Sequence, residues 1–526
     1  LSSSSAASDV YKRQNHNKKP LKICMKKQEI KTILTKRGYS VMKEHYSLQH
    51  IEDLKKSLHV KPYVNEDYGA SADPYPIYLE SIKKLYIPKH IGFHEFGEPD
   101  KVKLTKGLEV DLTFKGSLRD KQLPIVKSFL NSCSDGPFKT KSRGGIISVP
   151  CGWGKTIMAL YLIAALKRKT IVIVHKEFLL NQWIKRIEEF LPDARVGIIQ
   201  AAKIDVQNKD IVIGMLQSLS SKEYDVDKVF GDFGFVIVDE CHHIAAEVFS
   251  RSLPKVNSYY SLGLSATPKR ADGLSHVFES YLGPMVYQVG KRDDKLVRVN
   301  VIRYHDDNKD YKKEELSAYG KVCIPRMINN IVGRITRNLL IKSILRRLVK
   351  DGRQTLVLSD RRVHLTELFT MASEFATVGY YVGGMKQKDL DKSELQQVIL
   401  GTYPMSSEGL DIPSLDAVIF TTPKSSIEQS IGRITRKDHA ETPVAYDIVD
   451  NFCLFPRQFD KRLRVYKKLE YDVYEQNIYI KENTDENNIM YQLSQDMVKV
   501  ELKKPRKKKK KEELFENCQI QSDDES

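Results

Sequence analysis

The stretch from Ser148 to Thr156, SVPCGWGKT, most constrains how this chain can fold. It follows two isoleucines and precedes an apolar run that starts at Ile157, so a short strand ends in a glycine-containing turn and a buried helix begins at Lys155. The amides of such a turn and the helix N-terminus form a patch of partial positive charge that suits a phosphate chain. In a P-loop, Lys155 would reach the β- and γ-phosphates and the Thr156 hydroxyl would bind Mg²⁺.

The loop departs from the usual P-loop pattern at one position. Val149 stands where the first glycine is expected, although Gly152 and Gly154 are both present in the turn. An ordinary strand-to-helix turn is therefore the alternative, and the loop by itself does not exclude it. The other motifs of the chain have to decide between a phosphate site and such a turn.

The chain is strongly basic. Lysine and arginine number 85 against 68 aspartates and glutamates, which gives a net charge of +17 over 526 residues. Residues 503–526 contain eight basic and six acidic residues, so the rest of the chain still carries +15. A basic body favours a polyanionic partner, and nucleic acid is the commonest one.

Cysteine usage and hydropathy indicate a soluble protein of a reducing compartment. The seven cysteines include no CxxC pair, which disfavours both a disulfide framework and a structural zinc site. The longest apolar run, Ile157 to Leu166, has ten residues, whereas a membrane span needs about twenty. We therefore expect no membrane partner and an intracellular location in a reducing compartment.

Strand and helix patterns alternate in two blocks at βαβ spacing. Near-continuous apolar strands suit parallel sheets that are covered on both faces. The helix pattern at 178–190 places Leu179, Trp183, Ile187 and Phe190 on one apolar stripe. The expected strands are Ile171–Val174, Asp210–Gly214 and Phe235–Val238 in the first block, and Thr355–Leu358, Val398–Gly401, Ala417–Thr421 and Val444–Val449 in the second.

These patterns predict an α/β chain with two tandem domains, each built on a parallel sheet. Before them, short helical patterns and Pro- and Tyr-rich turns indicate a small α+β accessory domain without visible chemistry. The low-complexity start LSSSSAASDVYKRQ has the character of a non-native or disordered leader. The expected boundaries are 1–20 for the leader, 21–105 for the accessory domain, 106–290 and 291–480 for the α/β domains, and 481–526 for a polar, basic tail.

The tail contains the run Lys503 to Lys511, KKPRKKKKK. This run cannot fold alone, because like charges repel and no apolar residue is available for burial. A nuclear-import signal, a nucleic-acid arm and a solubilising tail all fit its composition. We expect disorder here and leave the three roles open.

Two carboxylates follow a strand of the first block. Asp239 and Glu240 come directly after the apolar run FVIV, at the strand end where open α/β sheets bind ligands. Asp239 can hold Mg²⁺, directly or through water, and Glu240 can orient and deprotonate an attacking water. The alternatives are a salt-bridged turn or a metal site at Cys241-His242-His243, but no second Cys/His cluster lies nearby in the sequence.

Five short segments carry the motifs in order along the chain: Lys155-Thr156, Asp239-Glu240-Cys241-His242, Ser265-Ala266-Thr267, Gly409-Leu410-Asp411-Ile412-Pro413 and Gln429-Ser430-Ile431-Gly432-Arg433-Ile434-Thr435-Arg436. Taken together, these motifs resemble those of the superfamily 2 helicases, DExH branch. The resemblance covers residues 115 to about 455 and implies two RecA-like domains with ATP and Mg²⁺ between them. Motif VI is the most specific match, since the form QxxGRxxR falls on the second block.

The resemblance assigns roles to residues on both domains. Gln122 would recognise adenine, and His242 would couple to Gln429 across the cleft. Arg433 and Arg436 would be arginine fingers that counter the charge of the transferring phosphoryl group. The residues implied in nucleotide binding are Gln122, Gly152, Gly154, Lys155, Thr156, Asp239, Gly409 and Asp411, of which Thr156 and Asp239 would also bind the metal.

A second set of residues is expected to line the path of a nucleic-acid strand. His175 and Lys176 follow a strand in the position of motif Ia, and Gln217-Ser218 correspond to motif Ic. Thr402 follows a strand of the second block. Contacts to a phosphate backbone tolerate many residue types, so these assignments depend on position more than on residue identity.

Within the superfamily, the segments GLSATPKRADGL and SEGLDIPSLD are similar to the XPB/UvsW-type group. That group includes the transcript-release helicases of poxviruses and of other large DNA viruses. The Arg-Glu-Asp motif of XPB is absent, and only about 80 residues separate motif III from the next strand. These features favour the shorter viral or phage type over a true XPB or a Snf2 remodeller.

The expected activity is that of an ATP-dependent helicase or translocase. By resemblance it moves 3′ to 5′ on DNA, which is favoured over RNA. The expected protein partner is transcription or replication machinery. The expected location is the nucleus or, for a viral protein, the host cytoplasm, a viral factory or the virion. An RNA helicase and an ATP-driven remodeller that does not unwind are the alternatives. A P-loop kinase is a further alternative, which Arg433 and Arg436 on a second α/β block disfavour.

Overall fold

The structure is a computed structural model, and it describes residues 29–62, 73–138, 140–150, 152–243, 246–266, 274–289, 297–317, 320, 322–408, 410, 412–435, 439–481 and 484–501. The expected leader at 1–20 and the basic run at 503–511 lie outside these residues. None of the described helices combines the length and the apolar character that crossing a membrane requires.

An α+β accessory domain comes first. Its five-stranded sheet has the order β5-β6-β2-β1-β7, and β3 and β4 form a separate pair. The Ser47 hydroxyl accepts a hydrogen bond from the His50 amide and caps the first helix, as serine does at many helix starts. The elements are β1 (Thr32–Thr35), β2 (Gly38–Met42), α1 (Leu48–Ser57), β3 (His59–Val60), β4 (Tyr75–Pro76), β5 (Leu79–Glu80), β6 (Lys84–Ile87), α2 (Lys89–Glu95) and β7 (Lys101–Val102).

The first α/β domain is built on an eight-stranded sheet with the order β11-β10-β12-β9-β13-β14-β8-β15. All neighbouring strands are parallel except β10 and β11. Its elements are α3 (Leu123–Cys133), β8 (Gly144–Ser148), α4 (Lys155–Leu166), β9 (Thr170–Val174), α5 (Glu177–Phe190), β10 (Val196–Gln200), β11 (Lys203–Ile204), β12 (Ile211–Met215), α6 (Leu216–Ser221), α7 (Val226–Phe230), β13 (Phe235–Val238), α8 (Ala246–Ser252), β14 (Tyr260–Ser265), α9 (Ser275–Leu282) and β15 (Met285–Gln288).

The second α/β domain has another eight-stranded sheet, ordered β18-β19-β17-β20-β21-β16-β22-β23 and parallel except for β23. Its elements are β16 (Arg298–Asp306), α10 (Ile324–Val332), α11 (Ile335–Lys350), β17 (Thr355–Ser359), α12 (Arg362–Ala372), β18 (Val378–Tyr381), α13 (Gln387–Glu394), β19 (Val398–Thr402), α14 (Tyr403–Glu408), β20 (Ala417–Phe420), α15 (Glu428–Ile431), β21 (Val444–Asp450), α16 (Phe455–Lys468), β22 (Asp472–Ile480), α17 (Glu486–Ser494) and β23 (Val498–Lys499).

The central strands explain why both sheets are covered by helices. Every residue of β8, β9, β12, β13 and β14 is buried, and so is every residue of β17, β20 and β21. Strands that are apolar on both faces need a helical layer on each side. The predicted α/β fold class with tandem RecA-like domains is therefore confirmed.

The C-terminal boundary differs from the expectation. A polar tail was expected from 481, but α17 packs on the second domain with Ile489 and Leu493 buried, and β23 pairs with β22. The folded part of the chain therefore extends to Lys499. Residues 502–526 lie outside the described residues.

The accessory domain docks on the first sheet at the N-terminal ends of its parallel strands. The Lys36 ammonium donates to the Phe233 carbonyl, 2.7 Å away, just before β13. The Lys89 ammonium donates to the Ser258 carbonyl, 2.9 Å away, just before β14. The Tyr281 hydroxyl of α9 donates to a carbonyl of the accessory domain at 3.0 Å. The C-terminal ends of the same strands lie on the opposite side of the sheet, where the candidate active site is found.

Candidate active site

The predicted phosphate loop connects β8 to α4. Gly152 and Gly154 have φ values of +80° and +75°, in the left-handed region that favours glycine. Gly154 is also the N-cap of α4, and a Cβ built on it would lie 2.5 Å from the Gln122 amide nitrogen. A side chain at residue 154 would therefore clash with its neighbour as well as strain the backbone. The loop needs glycine at this position despite its Val149.

Gln122, the predicted adenine-binding residue, packs against this loop. Its amide nitrogen donates to the Trp153 carbonyl at 2.8 Å, and its amide oxygen accepts from the Arg119 N–H at 2.8 Å. The side chain is only 2% exposed. Its amide retains one further N–H and one further lone pair for a ligand. The adenine role of Gln122 stays a prediction.

Lys155 and Glu240 form an ion pair at the centre of the site. The Lys155 ammonium lies 3.1 Å from a Glu240 carboxylate oxygen, and the side chains are 10% and 14% exposed. Lys155 starts α4, whereas Glu240 follows β13 in a left-handed conformation with φ +45°. The fold thus brings the two predicted residues together from opposite sides of the cleft between loop and strand.

Asp239 is a buried carboxylate with a defined hydrogen-bond environment. One oxygen accepts from the Trp183 indole N–H at 2.8 Å, and the other accepts from the Glu240 amide at 2.9 Å. Burial raises the pKa of Asp239 to about 6, and the Glu240 carboxylate acts in the same direction, while Lys155 and the two hydrogen bonds lower it.

This environment fits Mg²⁺. Magnesium prefers oxygen ligands and is held in nucleotide sites by one or two protein oxygens together with phosphates. The buried, incompletely compensated Asp239 carboxylate and the Thr156 hydroxyl on the first turn of α4 offer such oxygens. Within the described parts of the chain, no three His, Cys, Asp or Glu side chains come close enough to form a metal cluster of their own.

His242 joins three of the predicted motifs. Its Nδ1 lies 2.9 Å from the Ser265 hydroxyl at the end of β14 and 3.5 Å from a Glu240 oxygen. Its Nε2 lies 3.4 Å from the Gln429 amide nitrogen, which belongs to α15 of the second domain. The predicted pairing of His242 with Gln429 is therefore present, and it spans the two α/β domains.

Arg433 is buried on the second domain, 4% exposed, and one of its terminal nitrogens donates to the Leu410 carbonyl at 2.7 Å. This bond ties motif VI to motif V. Gly409 and Asp411 of motif V and Arg436 of motif VI lie outside the described residues. Their roles stay predictions.

The strand-path candidates of the first domain follow the neighbouring strands β9 and β12, one pair in a loop and the other in the first turn of α6. His175 and Lys176 follow β9, and the exposed Gln217 donates from its amide to the His175 carbonyl at 2.7 Å. Ser218 is buried, and its hydroxyl accepts from the Ala201 amide at 2.9 Å. The Ser218 side chain therefore supports the turn after β10, and Gln217 is the member of the pair that reaches the surface.

Thr402 is the corresponding candidate on the second domain. It is the last residue of β19, pairs in register with Ser359 of β17 and is half-buried. Like His175, it stands where a parallel strand ends. The candidates of the two domains therefore share a position in the fold.

Two features of the site were not predicted from the sequence. The helix stripe placed Trp183 in the core, which is correct, but gave no sign that its N–H binds Asp239. The Lys121 ammonium lies 4.6 Å from the centre of the Trp153 ring, a cation–π contact over the phosphate loop. Trp183 and Asp239 lie far apart in the sequence, and so do Lys121 and Trp153, so no sequence pattern indicates either contact.

Two family descriptions match this chain. "Type III restriction enzyme, res subunit" matches residues 115–270, and "Helicase conserved C-terminal domain" matches residues 336–438. The first range contains the phosphate loop and the Asp239-Glu240 pair, and the second contains Gln429 and Arg433. Each match thus falls on one of the two α/β domains.

Viral proteins are similar over most of their length. A protein of Acanthamoeba polyphaga mimivirus, provisionally named an ATP-dependent RNA helicase, is 36% identical over 467 residues, covering 86% of this chain and 88% of that protein. A provisionally named helicase of invertebrate iridescent virus 6 is 28% identical over 382 residues, with 68% and 83% covered. A protein of Escherichia phage T5, also provisionally named a helicase, is 26% identical over 375 residues, with 69% and 80% covered.

The mimivirus relative matches across both RecA-like domains, which the two family descriptions also cover. The chain therefore belongs to the superfamily 2 helicases of the type found in large DNA viruses, enzymes that hydrolyse ATP with Mg²⁺ and act on nucleic acid.

Proposed function

We propose that this helicase is a translocase that moves 3′ to 5′ on DNA, with DNA favoured over RNA, in transcription, repair or recombination. The observation that carries the proposal is the chain of contacts from Lys155 through Glu240 and His242 to Gln429, which links the nucleotide site to the second domain. The net charge of +17 and the similarity of two segments to the XPB/UvsW-type group support a nucleic-acid track and favour DNA.

Lys155 is the residue that changes partner when a nucleotide enters. A triphosphate offers its ammonium more negative charge than the Glu240 carboxylate does, so Lys155 moves to the phosphates. Glu240 then loses its ion-pair partner and becomes available to orient and deprotonate the attacking water. Its second contact, to His242, keeps the carboxylate anchored during this exchange.

Asp239 and Thr156 are the residues that would hold Mg²⁺. When bound there, Mg²⁺ would supply positive charge to offset the charge of the phosphates during phosphoryl transfer. Asp239 meets this task with its carboxylate already fixed by two hydrogen bonds. Because the carboxylate is buried, its attraction for a cation is stronger than at the surface.

Closure of the second domain completes the site. Gln429 contacts His242 directly, and Arg436 is the proposed arginine finger of the same motif. Arg433 already donates to the Leu410 carbonyl, so it acts through its other N–H groups. The same movement brings Thr402 towards His175, Lys176 and Gln217, which would grip one strand. Hydrolysis releases the contact, and repeated closing and opening moves the protein along the strand.

The test is ATP hydrolysis by the full chain with single-stranded DNA, duplex DNA and single-stranded RNA of equal length, followed by strand displacement on 3′- and 5′-tailed duplexes. We expect the strongest stimulation by single-stranded DNA and displacement only from 3′-tailed substrates. Equal or greater stimulation by RNA would contradict the DNA preference. Displacement from 5′-tailed duplexes alone would contradict the direction.

An RNA helicase is the second candidate, because the mimivirus relative is provisionally named an ATP-dependent RNA helicase. Contacts to phosphates do not separate RNA from DNA, since the 2′-hydroxyl is the group that distinguishes them. In the same assay, this candidate predicts stimulation by RNA and displacement of an RNA strand. A chimeric strand with 2′-hydroxyls only in the tail would show whether the track itself is read.

A further inference from the structure

Trp183 is a buried residue of α5 and belongs to none of the helicase motifs of this chain. Its side chain is 1% exposed and packs in the core of the first domain with Leu179 and Ile187 of the same helix. Its indole N–H nevertheless donates to a carboxylate oxygen of Asp239, 2.8 Å away. Buried tryptophans usually find a partner for this N–H, but here the partner is the proposed metal ligand.

The hydrogen bond from Trp183 restricts rotation of the Asp239 carboxylate about its terminal torsion. The terminal torsion of an aspartate is broad, so packing alone does not set the plane of its two oxygens. In Asp239 each oxygen has one donor, the Trp183 indole on one side and the Glu240 amide on the other. Two donors on different oxygens define the plane of the carboxylate and leave the remaining lone pairs in fixed directions.

We propose that Trp183 is a positioning residue for Mg²⁺ binding, which holds the Asp239 carboxylate in one orientation through its indole N–H. The inference rests on the proposed role of Asp239 as a metal ligand. Partners of metal ligands commonly tune metal affinity by orienting the ligand. If Trp183 served packing alone, any buried residue of similar shape would replace it without effect on the metal.

The test uses Trp183→Phe, which keeps an aromatic ring and removes the N–H. Mn²⁺ is the probe, and its binding is measured by electron paramagnetic resonance with the full chain and a saturating non-hydrolysable ATP analogue. We expect Mn²⁺ affinity to fall about tenfold, as is typical when a partner of a metal ligand is lost. Affinity for the analogue without metal should stay unchanged, because the phosphate loop is intact.

Two control variants separate the possible causes. Ile187→Ala removes packing from the same stripe of α5 but leaves the indole bond, so it should lower thermal stability without lowering Mn²⁺ affinity. Asp239→Asn removes the proposed ligand itself and should lower Mn²⁺ affinity most.

Unchanged affinity in Trp183→Phe together with loss in Asp239→Asn would overturn the inference and leave the proposed function standing. Unchanged affinity in Asp239→Asn would instead overturn the metal role of Asp239. Equal losses in Trp183→Phe and Ile187→Ala would assign the effect to packing and also overturn the inference.

A second comparison covers the case in which Trp183→Phe does not fold. The chain has only two tryptophans, so in a Trp153→Phe background Trp183 is the sole one. Producing that variant with benzothienylalanine in place of tryptophan replaces the N–H by sulfur and keeps the shape. We expect the same loss of Mn²⁺ affinity relative to the variant with ordinary tryptophan, and equal affinities would contradict the proposal.

Discussion

Lys155 and Glu240 form an ion pair that a bound triphosphate has to reorganise. Their charged atoms are 3.1 Å apart, and both side chains are largely shielded from water. Removing one partner of a shielded pair leaves the other charge uncompensated. A nucleotide gives Lys155 a new partner, whereas a substitution of Lys155 takes this cation away from Glu240, which keeps its contact with His242.

We therefore expect Lys155→Ala to lose ATP turnover by roughly 10²–10³-fold, the usual effect of removing one group that stabilises transition-state charge. Nucleic-acid binding without nucleotide should persist. Lys167→Ala is the matched control, because Lys167 lies at the other end of α4 and pairs with the exposed Asp111 at 2.8 Å. Steady-state ATPase assays of both variants decide the point. A Lys155→Ala enzyme with more than about a tenth of wild-type turnover would exclude Lys155 as the phosphate lysine.

The residues of the site were predictable to the extent that motifs encode them. The motifs predicted a phosphate loop at Lys155 and a carboxylate pair at the end of a strand, and the structure brings Lys155, Glu240 and His242 into contact. The bond from Trp183 to Asp239 was not predictable, because a helical stripe shows which way a residue faces but not which polar atom lies opposite. The acceptor oxygen belongs to Asp239, which lies 56 residues later in the chain and directly follows β13.

At the scale of elements, the buried Lys89 and the half-buried Lys36 hold the accessory domain against the first sheet. Burial lowers the pKa of Lys89 to about 7 and that of Lys36 to about 8. Both ammonium groups donate to main-chain carbonyls at the start of the parallel strands. The docking of this domain therefore depends on groups that titrate far below the usual range of lysine.

The sign of the pH dependence follows from Lys89. Its pKa is about 7 in the folded protein against a usual value of 10.5, so between these values the unfolded chain binds a proton that the folded chain does not. The free energy of unfolding therefore rises with pH over this window. We expect wild type to gain of order 1–3 kcal/mol relative to Lys89→Met between about pH 7 and pH 9.5.

Urea unfolding at several pH values measures this difference. Lys103→Met is the control, because Lys103 is an exposed lysine of the same part of the chain. The free energy of unfolding of Lys103→Met should change with pH in parallel with that of wild type. If the Lys89→Met curve were also parallel to wild type, Lys89 would have an ordinary pKa in the folded protein.

The C-terminal helix α17 offers a second test at this scale. Ile489 and Leu493 are buried, and the Gln492 side chain bonds the main chain of Tyr479 at 2.8 and 2.9 Å. Truncation after Lys481 removes these contacts and should cost about 3 kcal/mol or more, since each buried aliphatic side chain contributes about 1.5–3 kcal/mol. Truncation after Glu501 should cost nothing. Equal stability of the two truncated chains in urea would show that α17 is not part of the domain.

Elements were predictable where the sequence pattern was strong. The expected strands at 171–174, 235–238 and 444–449 agree with the structure to within a residue, because their apolar runs leave no other arrangement. The segment ENNIMYQLS of α17 was expected to belong to the tail because the chain beyond 481 is largely polar. In the structure, two of its side chains, Ile489 and Leu493, are buried. Its stability depends on a neighbouring strand that the local sequence does not reveal.

At the scale of the whole molecule, charge is the feature that favours a nucleic-acid track. The chain carries +17, and the run at 503–511 supplies eight of its basic residues. If this run is an arm that contacts phosphates, deleting residues 502–526 should weaken DNA binding without regard to sequence. It should also flatten the salt dependence, because each phosphate contact contributes about −0.9 for duplex or −0.7 for single-stranded DNA to the log–log slope.

Binding titrations at several salt concentrations test the arm. A deletion that leaves the slope unchanged would remove nucleic-acid contact from the roles of the tail. Import or solubility would then remain as its roles.

The coupling between ATP and the strand belongs to the same scale, because the contact between His242 and Gln429 joins the two α/β domains. Glu240→Gln keeps the shape of the site and removes the group that activates water, so it should bind ATP, hydrolyse it very slowly and hold the domains closed. A closed protein should grip single-stranded DNA more tightly. Gln429→Ala in the same background should weaken this effect, because it removes the contact across the domains.

The affinity of Glu240→Gln for labelled single-stranded DNA, measured by fluorescence anisotropy with and without MgATP, is the most direct test of ATP-driven closure. We expect MgATP to tighten binding about tenfold, within the usual range of coupling between two sites, and Lys155→Ala to show no such gain. The same DNA affinity with and without MgATP would contradict the account.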